Sequence, residues 1–188
     1  MQQYSDISFE IFTIDNLFTN KELEEYKNFI ENIDIKNRQF TNSNFKNGKS
    51  INNDLSQYIY SKLLPYLPNN YIDRNNKSWK FNSACKYIFY SKLESNQLFN
   101  LHTDTGSEYD DKQNIYSKYT ALLYLNDDFE GGNTQFFDLN GKKTCTIIPK
   151  KNRILIFDID LWHSGELITE GNKYWIGTEI LCNKFNSI

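Results

Sequence analysis

The chain has 188 residues and a formal net charge of −3, and 39% of its residues are hydrophobic and 16% aromatic. This composition excludes a disordered chain and is sufficient for a sizeable core. Because no basic segment is interleaved with aromatic residues, nucleic-acid binding has no support.

The cysteines and the N-terminus indicate the cellular compartment. Cys85, Cys145 and Cys182 are far apart and form no CxxC pair, which favours a reducing compartment over a disulfide framework. The N-terminus lacks the basic start and apolar stretch of a secretory signal. No apolar run reaches the roughly 20 residues of a membrane span. We therefore expect a cytoplasmic protein without membrane association.

The first predicted elements are a strand at Ser8–Ile14 and a helix at roughly 20–33. Thr19 and Glu22 have the spacing of a capping box, in which each residue satisfies a backbone N–H of the other. Apolar residues then recur at helical spacing.

A polar segment follows, Asn37–Asn53, and is predicted to be a long loop. Apolar residues return at helical spacing between Leu55 and Leu64. Pro65 and Pro68 are predicted to end this second helix.

The C-terminal part is predicted to consist of short strands and turns. The strands are Trp79–Tyr90, Leu98–Asp104, Tyr119–Leu125, Thr134–Phe137, Thr144–Ile148, Arg153–Phe157 and Tyr174–Cys182, with a polar turn at Ser91–Asn96 and a polar loop at Thr105–Ser117. We predict a mainly β fold with N-terminal helices and a double-stranded β-helix (jelly-roll or cupin-like) core. A single domain is expected over 1–188, with helical support over about 1–78 and the core over about 79–183.

Both histidines of the chain lie in contexts that suit a metal site. His102 and Asp104 are two positions apart in a predicted strand, so both side chains should project from the same face. His163 ends an apolar run far along the chain. Two histidines and one carboxylate form the facial triad of non-haem Fe(II) sites, which leaves the opposite coordination positions open. His102, Asp104 and His163 are therefore the candidate ligands and catalytic residues.

Lys173 follows His163 by ten residues and opens the last predicted strand. Most lysines at such positions are simply solvated. A lysine pointing into an apolar pocket would instead select an anion, such as the distal carboxylate of a dicarboxylate cosubstrate.

The order of these motifs resembles the 2-oxoglutarate/Fe(II)-dependent dioxygenases, and within them the prolyl 4-hydroxylase branch. The matching pieces are His102-Thr103-Asp104, Tyr124-Leu125-Asn126, the segment Gly131 to Phe136, His163-Ser164-Gly165 and Lys173. The resemblance covers about residues 80–182. Asn133 departs from the family pattern by replacing the commoner glutamate, and Asn152 stands where a glycine is often found, although asparagine tolerates a left-handed backbone.

The resemblance implies roles for these residues. His102, Asp104 and His163 would bind Fe(II), and Lys173 would pair with the C5 carboxylate of 2-oxoglutarate. Tyr90 would add a hydroxyl to that carboxylate, and Thr134 would line the same pocket; for both, an ordinary strand role stays open. The implied reactants are O2 and 2-oxoglutarate, and a contribution from ascorbate stays open.

The resemblance also implies hydroxylation of a C–H bond with release of succinate and CO2. A prolyl residue of a protein or peptide is the leading substrate, while another residue, a free amino acid or a small molecule remain alternatives. A cupin-like metal protein without 2-oxoglutarate chemistry and a non-catalytic binding module are the competing hypotheses. Asn37–Asn53 and Ser91–Asn96 are candidate lids, and Trp162 is expected in the core rather than on the wall of the site.

Overall fold

Two α-helices lie in the N-terminal part of the protein. The computed structural model describes residues 10–33, 46–73, 77–110, 112 and 114–185. Helix α1, Asn20–Asn32, begins at the predicted capping box, in which Thr19 and Glu22 each accept from the backbone N–H of the other. Helix α2, Asn53–Leu63, continues into a 3-10 helix, Leu64–Tyr66, that contains Pro65. Both predicted helices are confirmed, and none of the described helices is long and apolar enough to span a membrane.

Strands make up most of the rest of the chain. They are β1 (Ile11–Asp15), β2 (Lys46–Ile51), β3 (Tyr71–Ile72), β4 (Ser78–Ala84), β5 (Tyr87–Glu94), β6 (Phe99–His102), β7 (Tyr109–Asp110), β8 (Ile115–Tyr124), β9 (Glu130–Gly131), β10 (Thr134–Phe137), β11 (Lys143–Ile147), β12 (Arg153–Asp158), β13 (Trp162–Gly165), β14 (Ile168–Glu170) and β15 (Asn172–Phe185).

Within the described residues the strands form a nine-stranded, a four-stranded and a two-stranded sheet. The large sheet has the order β1-β12-β8-β15-β4-β3, with β5 paired to β15, β2 to β5 and β7 to β8. The small sheet has the order β11-β10-β13-β6, and β14 pairs with β9. All pairs in the two larger sheets are antiparallel, and the predicted jelly roll with N-terminal helices is confirmed.

Alternation along β12 shows how the layers stack. Ile154 and Ile156 belong to the cluster that also contains the buried side chains of α1 and α2, so the helices cover one face of the large sheet. Leu155 and Phe157 point to the other face, where the Phe157 ring meets the Phe136 ring of β10 edge-on at 5.2 Å. Each such fully buried side chain contributes about 1.5–3 kcal/mol. The small sheet therefore packs over the large one and leaves a cavity between them.

The loop prediction for Asn37–Asn53 is wrong where the structure describes it. Residues 37–45 lie outside the described residues, but β2 pairs with β5 along its whole length and α2 begins at Asn53. The polar sequence of β2 gives little strand signal by itself; its partner strand supplies the order. The described part of this segment is thus a sheet strand rather than a lid.

Several predicted boundaries also need correction. The single strand predicted at Trp79–Tyr90 is two strands, because β15 pairs with β4 along one half and with β5 along the other. Strand β5 extends to Glu94, so the turn predicted at Ser91–Asn96 is shorter and its first four residues are not a lid. The loop predicted at Thr105–Ser117 contains β7 and the start of β8; its residues 111 and 113 lie outside the described residues.

The ends of the chain show smaller differences. The first strand begins at Ile11 rather than Ser8, with residues 8 and 9 outside the described part, and the last strand extends to both sides of its predicted range. Asn152 has a φ of 63°, as its tolerance for the left-handed region predicted. Its side chain also bonds both backbone groups of Phe18 and so ties the β11–β12 connection to the start of α1.

Candidate active site

The two histidines meet across neighbouring strands of the small sheet. His102 is the last residue of β6, and it stands directly opposite His163 of β13 in the antiparallel pairing. Their ring centroids are 4.2 Å apart. Asp104 lies just beyond the strand that was predicted to include it, and its backbone N–H is held by the Ile159 carbonyl at 3.0 Å. Ligand atoms from His102, Asp104 and His163 all lie within 4.8 Å of one another.

Backbone carbonyls fix the orientation of both imidazoles. Nδ1 of His102 lies 2.7 Å from the Asn100 carbonyl, and Nδ1 of His163 lies 2.9 Å from the Leu161 carbonyl. Because a carbonyl can only accept, each Nδ1 donates to it, and in the neutral form of the ring Nε2 then keeps its lone pair. The Nε2 atoms lie 3.5 Å and 3.8 Å from Oδ1 of Asp104. A hydrogen bond from Nδ1 to a backbone carbonyl is one that metal-ligating histidines ordinarily make, because it orients the ring for binding through Nε2.

The carboxylate of Asp104 is held in the same way. Oγ1 of Thr120 in β8 donates to its Oδ2 at 2.5 Å, which leaves Oδ1 facing the histidines. Burial alone would raise the pKa of Asp104, but the adjacent imidazoles and the Thr120 hydroxyl outweigh it, so this pKa is lowered. Burial lowers the pKa of His163. A carboxylate with two imidazoles is the donor set that suits a first-row divalent metal, and these residues fit Fe(II).

A cavity of about 540 Å³ extends from this cluster between the sheets. It is lined by all six candidate residues, His102, Asp104, His163, Lys173, Tyr90 and Thr134. Alternate residues of β15 also line it, from Lys173 through Trp175 and Gly177 to Glu179. Since alternate residues of a strand share one face, β15 forms a continuous wall with a cation at one end and a carboxylate at the other.

Lys173 is buried in this wall, with 4% of its surface exposed. Its Nζ donates to the Gly132 carbonyl at 2.5 Å and lies 5.1 Å from the centre of the Tyr124 ring. No carboxylate of the described residues forms an ion pair with it. Burial lowers the pKa of Lys173 from its ordinary value of 10.5 to about 7, against the opposing charge of Glu166. An ammonium so poorly compensated is a site for an anion.

Tyr90 and Thr134 lie in the cavity wall on different sheets. Tyr90, in β5, is 3% exposed, and its ring packs edge-on against Phe29. Its hydroxyl lies against Gly48 of β2, where an added Cβ would come within 2.6 Å of the oxygen. Thr134 opens β10, and its hydroxyl shares a 2.7 Å hydrogen bond with the hydroxyl of Tyr124.

Trp162 is not in the core, contrary to the prediction. It is 39% exposed, and it is absent from the cavity lining, whereas the adjacent His163 is 7% exposed. Neighbouring residues of a strand face opposite sides, so Trp162 points outward because His163 points into the cavity. Asn133, which stands where the family more often has a glutamate, donates from its side-chain amide to Glu166 at 2.7 Å.

Sequence reasoning missed Thr120 and Glu179. Each is a polar residue that lines the cavity from a strand rich in apolar residues, and the two are directly opposite in the pairing of β8 with β15. A polar residue next to apolar residues in a strand was the available signal, because burial of such a group requires partners.

The jelly roll and this cavity define a protein with a candidate metal centre between two sheets. The chain belongs to the 2OG-Fe(II) oxygenase superfamily, because the family model of that description matches residues 85–178, half of the chain. This confirms the resemblance drawn from the motifs.

Solved structures share the fold at low sequence identity. The viral collagen prolyl hydroxylase of Paramecium bursaria Chlorella virus-1, solved with 2OG, aligns with a TM-score of 0.60 and 18% identity over 92% of this chain and 95% of its own. A prolyl-4-hydroxylase from Pseudomonas putida aligns with a TM-score of 0.60 and 10% identity over 90% and 91%. A Trichoplax adhaerens prolyl hydroxylase, in complex with a hypoxia inducible factor peptide fragment, aligns with a TM-score of 0.58 and 14% identity over 90% and 82%.

Two curated relatives match a shorter segment. Prolyl 3-hydroxylase 2 of Homo sapiens and of Rattus norvegicus are each 38% identical over 61 residues, which is 31% of this chain and 9% of either relative. The chain therefore spans about a tenth of the length of these relatives.

Proposed function

We propose that this protein is a 2-oxoglutarate- and Fe(II)-dependent dioxygenase that hydroxylates a C–H bond and works as a single domain. The observation that carries the proposal is one cavity that holds both a His-Asp-His cluster and a buried lysine without an ion-pair partner among the described residues. Bound Fe(II) would supply the activation of O2. In the overall reaction, 2-oxoglutarate, O2 and R–H give succinate, CO2 and R–OH.

The chain's own residues would divide the work between two ends of the cavity. His102, Asp104 and His163 would hold the metal on one face, so that the other face stays open for the cosubstrate and O2. Lys173 would pair with the C5 carboxylate of 2-oxoglutarate. Tyr90 and Thr134 would contact the same cosubstrate, through a phenol and a hydroxyl in the cavity wall.

Aromatic rings would shield the reacting atoms from water. Phe157 packs on His163 with ring centroids 4.7 Å apart, and Phe99 stacks on His102 at 5.6 Å. Trp175 lies next to Phe99 at 6.0 Å. Excluding water strengthens the interaction of Lys173 with a carboxylate and limits side reactions.

A prolyl residue in a protein or peptide is the substrate we propose first. The names of the fold relatives support it, and one of them was solved with a peptide. The short match to prolyl 3-hydroxylases also supports a prolyl substrate, but it does not identify which carbon of the ring is hydroxylated. Another residue, a free amino acid or a small molecule are the alternatives.

The test is succinate formation from 2-oxoglutarate with Fe(II), with and without ascorbate, over a panel of proline-containing peptides and free amino acids. Stimulation by one peptide class, with a gain of one oxygen atom in the peptide, supports the proposal, and fragmentation of the product identifies the carbon. A protein that binds metal but never consumes 2-oxoglutarate would instead be a cupin-like protein of another reaction type. A protein indifferent to metal would be a binding module.

The buried lysine predicts how cosubstrate affinity depends on pH. Because the pKa of Lys173 is lowered to about 7, the empty site loses its positive charge as pH rises above 7. The KM for 2-oxoglutarate should therefore rise between pH 7 and 9, approaching about tenfold per unit. The Lys173→Arg variant keeps its charge throughout this range and should show a flat profile. Parallel profiles for the two proteins would contradict the expectation.

Gly48 should control the position of the Tyr90 hydroxyl. An alanine Cβ at position 48 would lie 2.6 Å from that oxygen and 2.9 Å from the ring carbon that carries it, so the ring must move. We expect Gly48→Ala to raise the KM for 2-oxoglutarate about as much as Tyr90→Phe, which removes the hydroxyl. The double variant should add little, since both changes act on one contact. Additive effects would show that Gly48 acts elsewhere.

A further inference from the structure

A buried carboxylate lies in the cavity wall, at the opposite end from Lys173 of the face that β15 presents to the cavity. Glu179 is 4% exposed and six residues from Lys173, about 20 Å along the strand. Three donors converge on it: the backbone N–H of Ser107 at 2.6 Å, the Ser107 hydroxyl at 2.9 Å and the Ser117 hydroxyl at 2.5 Å. The function proposed above assigns no role to this residue.

These bonds fix the segment that follows the candidate metal ligand Asp104. Residues 104–108, here named the ligand segment, make up most of the connection from β6 to β7. Its far end is bound to Ser117 of β8, whose N–H donates to the Glu108 carbonyl at 3.0 Å and whose hydroxyl accepts from the Glu108 N–H at 3.2 Å. Gly106 allows this close approach, because an added Cβ would lie 2.8 Å from the Cβ of Ser117.

One rung of the large sheet thus holds the ligand segment at two points. Thr120 and Glu179 are opposite each other in the pairing of β8 with β15. Thr120 holds the carboxylate of Asp104, and Glu179 holds Ser107, three residues further along. Two rigid strands therefore define the position from which Asp104 faces the two imidazoles.

A carboxylate at this position needs a reason beyond packing. Burying an ionised group is unfavourable unless several donors satisfy it, and an apolar residue of similar volume is often at least as stabilising. A carboxylate can, however, hold a backbone N–H and two hydroxyls at once, which an apolar side chain cannot do.

We propose that Glu179 is a positioning residue, whose carboxylate fixes the ligand segment so that Asp104 presents Oδ1 to the Nε2 atoms of His102 and His163. This inference rests on the metal role proposed above for Asp104. It extends the site to a residue that touches none of the reacting atoms.

The test is Co(II) binding to the full chain, followed by the visible absorption of the bound ion. Glu179→Gln keeps the side-chain size but removes the charge and turns one acceptor into a donor. We expect it to raise the Kd for Co(II) about tenfold or more, the range typical of outer contacts to metal ligands, and to shift the absorption bands. Ser107→Ala keeps Glu179 and the backbone donor, and should shift the Kd in the same direction by less.

The controls separate positioning from folding and from substrate contact. Glu170→Gln changes an exposed carboxylate in β14 and should match the wild type. At saturating metal, the KM for 2-oxoglutarate should stay unchanged in Glu179→Gln, because the Lys173 end of the cavity is untouched. Circular dichroism checks that each variant is folded. If Glu179→Gln does not fold, the milder Ser107→Ala variant provides the test instead.

Two results would overturn the inference. In the first, folded Glu179→Gln and Ser107→Ala bind Co(II) with the affinity and absorption bands of the wild type, whereas Asp104→Ala does not bind the ion. This result would refute the positioning role and leave the metal site intact. A change confined to the KM of the hydroxylated substrate would do the same and would make Glu179 a substrate contact. If the wild-type chain binds no Co(II), the proposed function fails together with the inference.

Discussion

Replacing Lys173 with methionine is expected to lower kcat/KM for 2-oxoglutarate by about 10²- to 10³-fold. The variant keeps the length of the side chain but leaves the C5 carboxylate without a partner in a buried site, a loss of about 3–4 kcal/mol. The affinity for Co(II) should not change, because the Lys173 ammonium contacts the Gly132 carbonyl and the Tyr124 ring rather than the three candidate ligands. Steady-state kinetics at saturating Fe(II) measure the loss of kcat/KM, and a Co(II) titration measures the metal affinity.

Stability supplies an independent readout for the same variant. Unfolding returns Lys173 to water and its pKa from about 7 to about 10.5. Between these values the unfolded chain binds one more proton, so the wild-type protein should gain stability as pH rises from 7 to 9. Lys173→Met should lack this gain and should melt at a higher temperature than the wild type at pH 7, without cosubstrate.

Lys80→Met, which changes an exposed lysine of β4, is the matched control and should alter neither property. If Lys173→Met uses 2-oxoglutarate as well as the wild type does, the proposed role of Lys173 in binding this cosubstrate is wrong.

Replacing His163 with alanine should weaken Co(II) binding at least 100-fold and abolish succinate formation. Three ligands hold the proposed metal, and His163 is the most buried of them, with 9% of its side chain exposed against 36% for His102 and 25% for Asp104. Losing one imidazole leaves a carboxylate and a single nitrogen ligand, which is too little for firm binding of a first-row metal.

The adjacent residue offers a close control for this experiment. Trp162 occupies the same strand but faces outward. Trp162→Ala should therefore retain Co(II) affinity and succinate formation, although it removes more atoms than His163→Ala does. Equal losses in both variants would indicate damage to β13 rather than loss of a ligand.

The sequence alone was sufficient for the elements whose signals are local. The capping box at Thr19 and Glu22 predicted the start of α1, and the spacing of apolar residues predicted α2. The left-handed backbone at Asn152 is one that asparagine was expected to tolerate where the family often has glycine. These features depend on neighbours within a few positions, which the sequence displays directly. The six candidate site residues were accessible for another reason, since their residue types and order resemble a known family.

Only the tertiary structure decided what depends on partners distant in sequence. Strand β2 has a polar sequence and is ordered by β5, and the break between β4 and β5 arises where β15 changes partner. The outward direction of Trp162 follows from which face of β13 meets the cavity. Long-range pairing of this kind is not encoded in local propensity.

The same limit applies to the outer contacts of the site. A threonine and a glutamate beside apolar residues in two strands could be noticed in the sequence, but their shared rung across β8 and β15 could not. Strand register brings Thr120 to Asp104 and Glu179 to Ser107, because hydrogen-bonded pairing fixes which side chains become neighbours. The residue types of this protein thus determined which groups were available for chemistry, and the register of its sheets decided which of them meet.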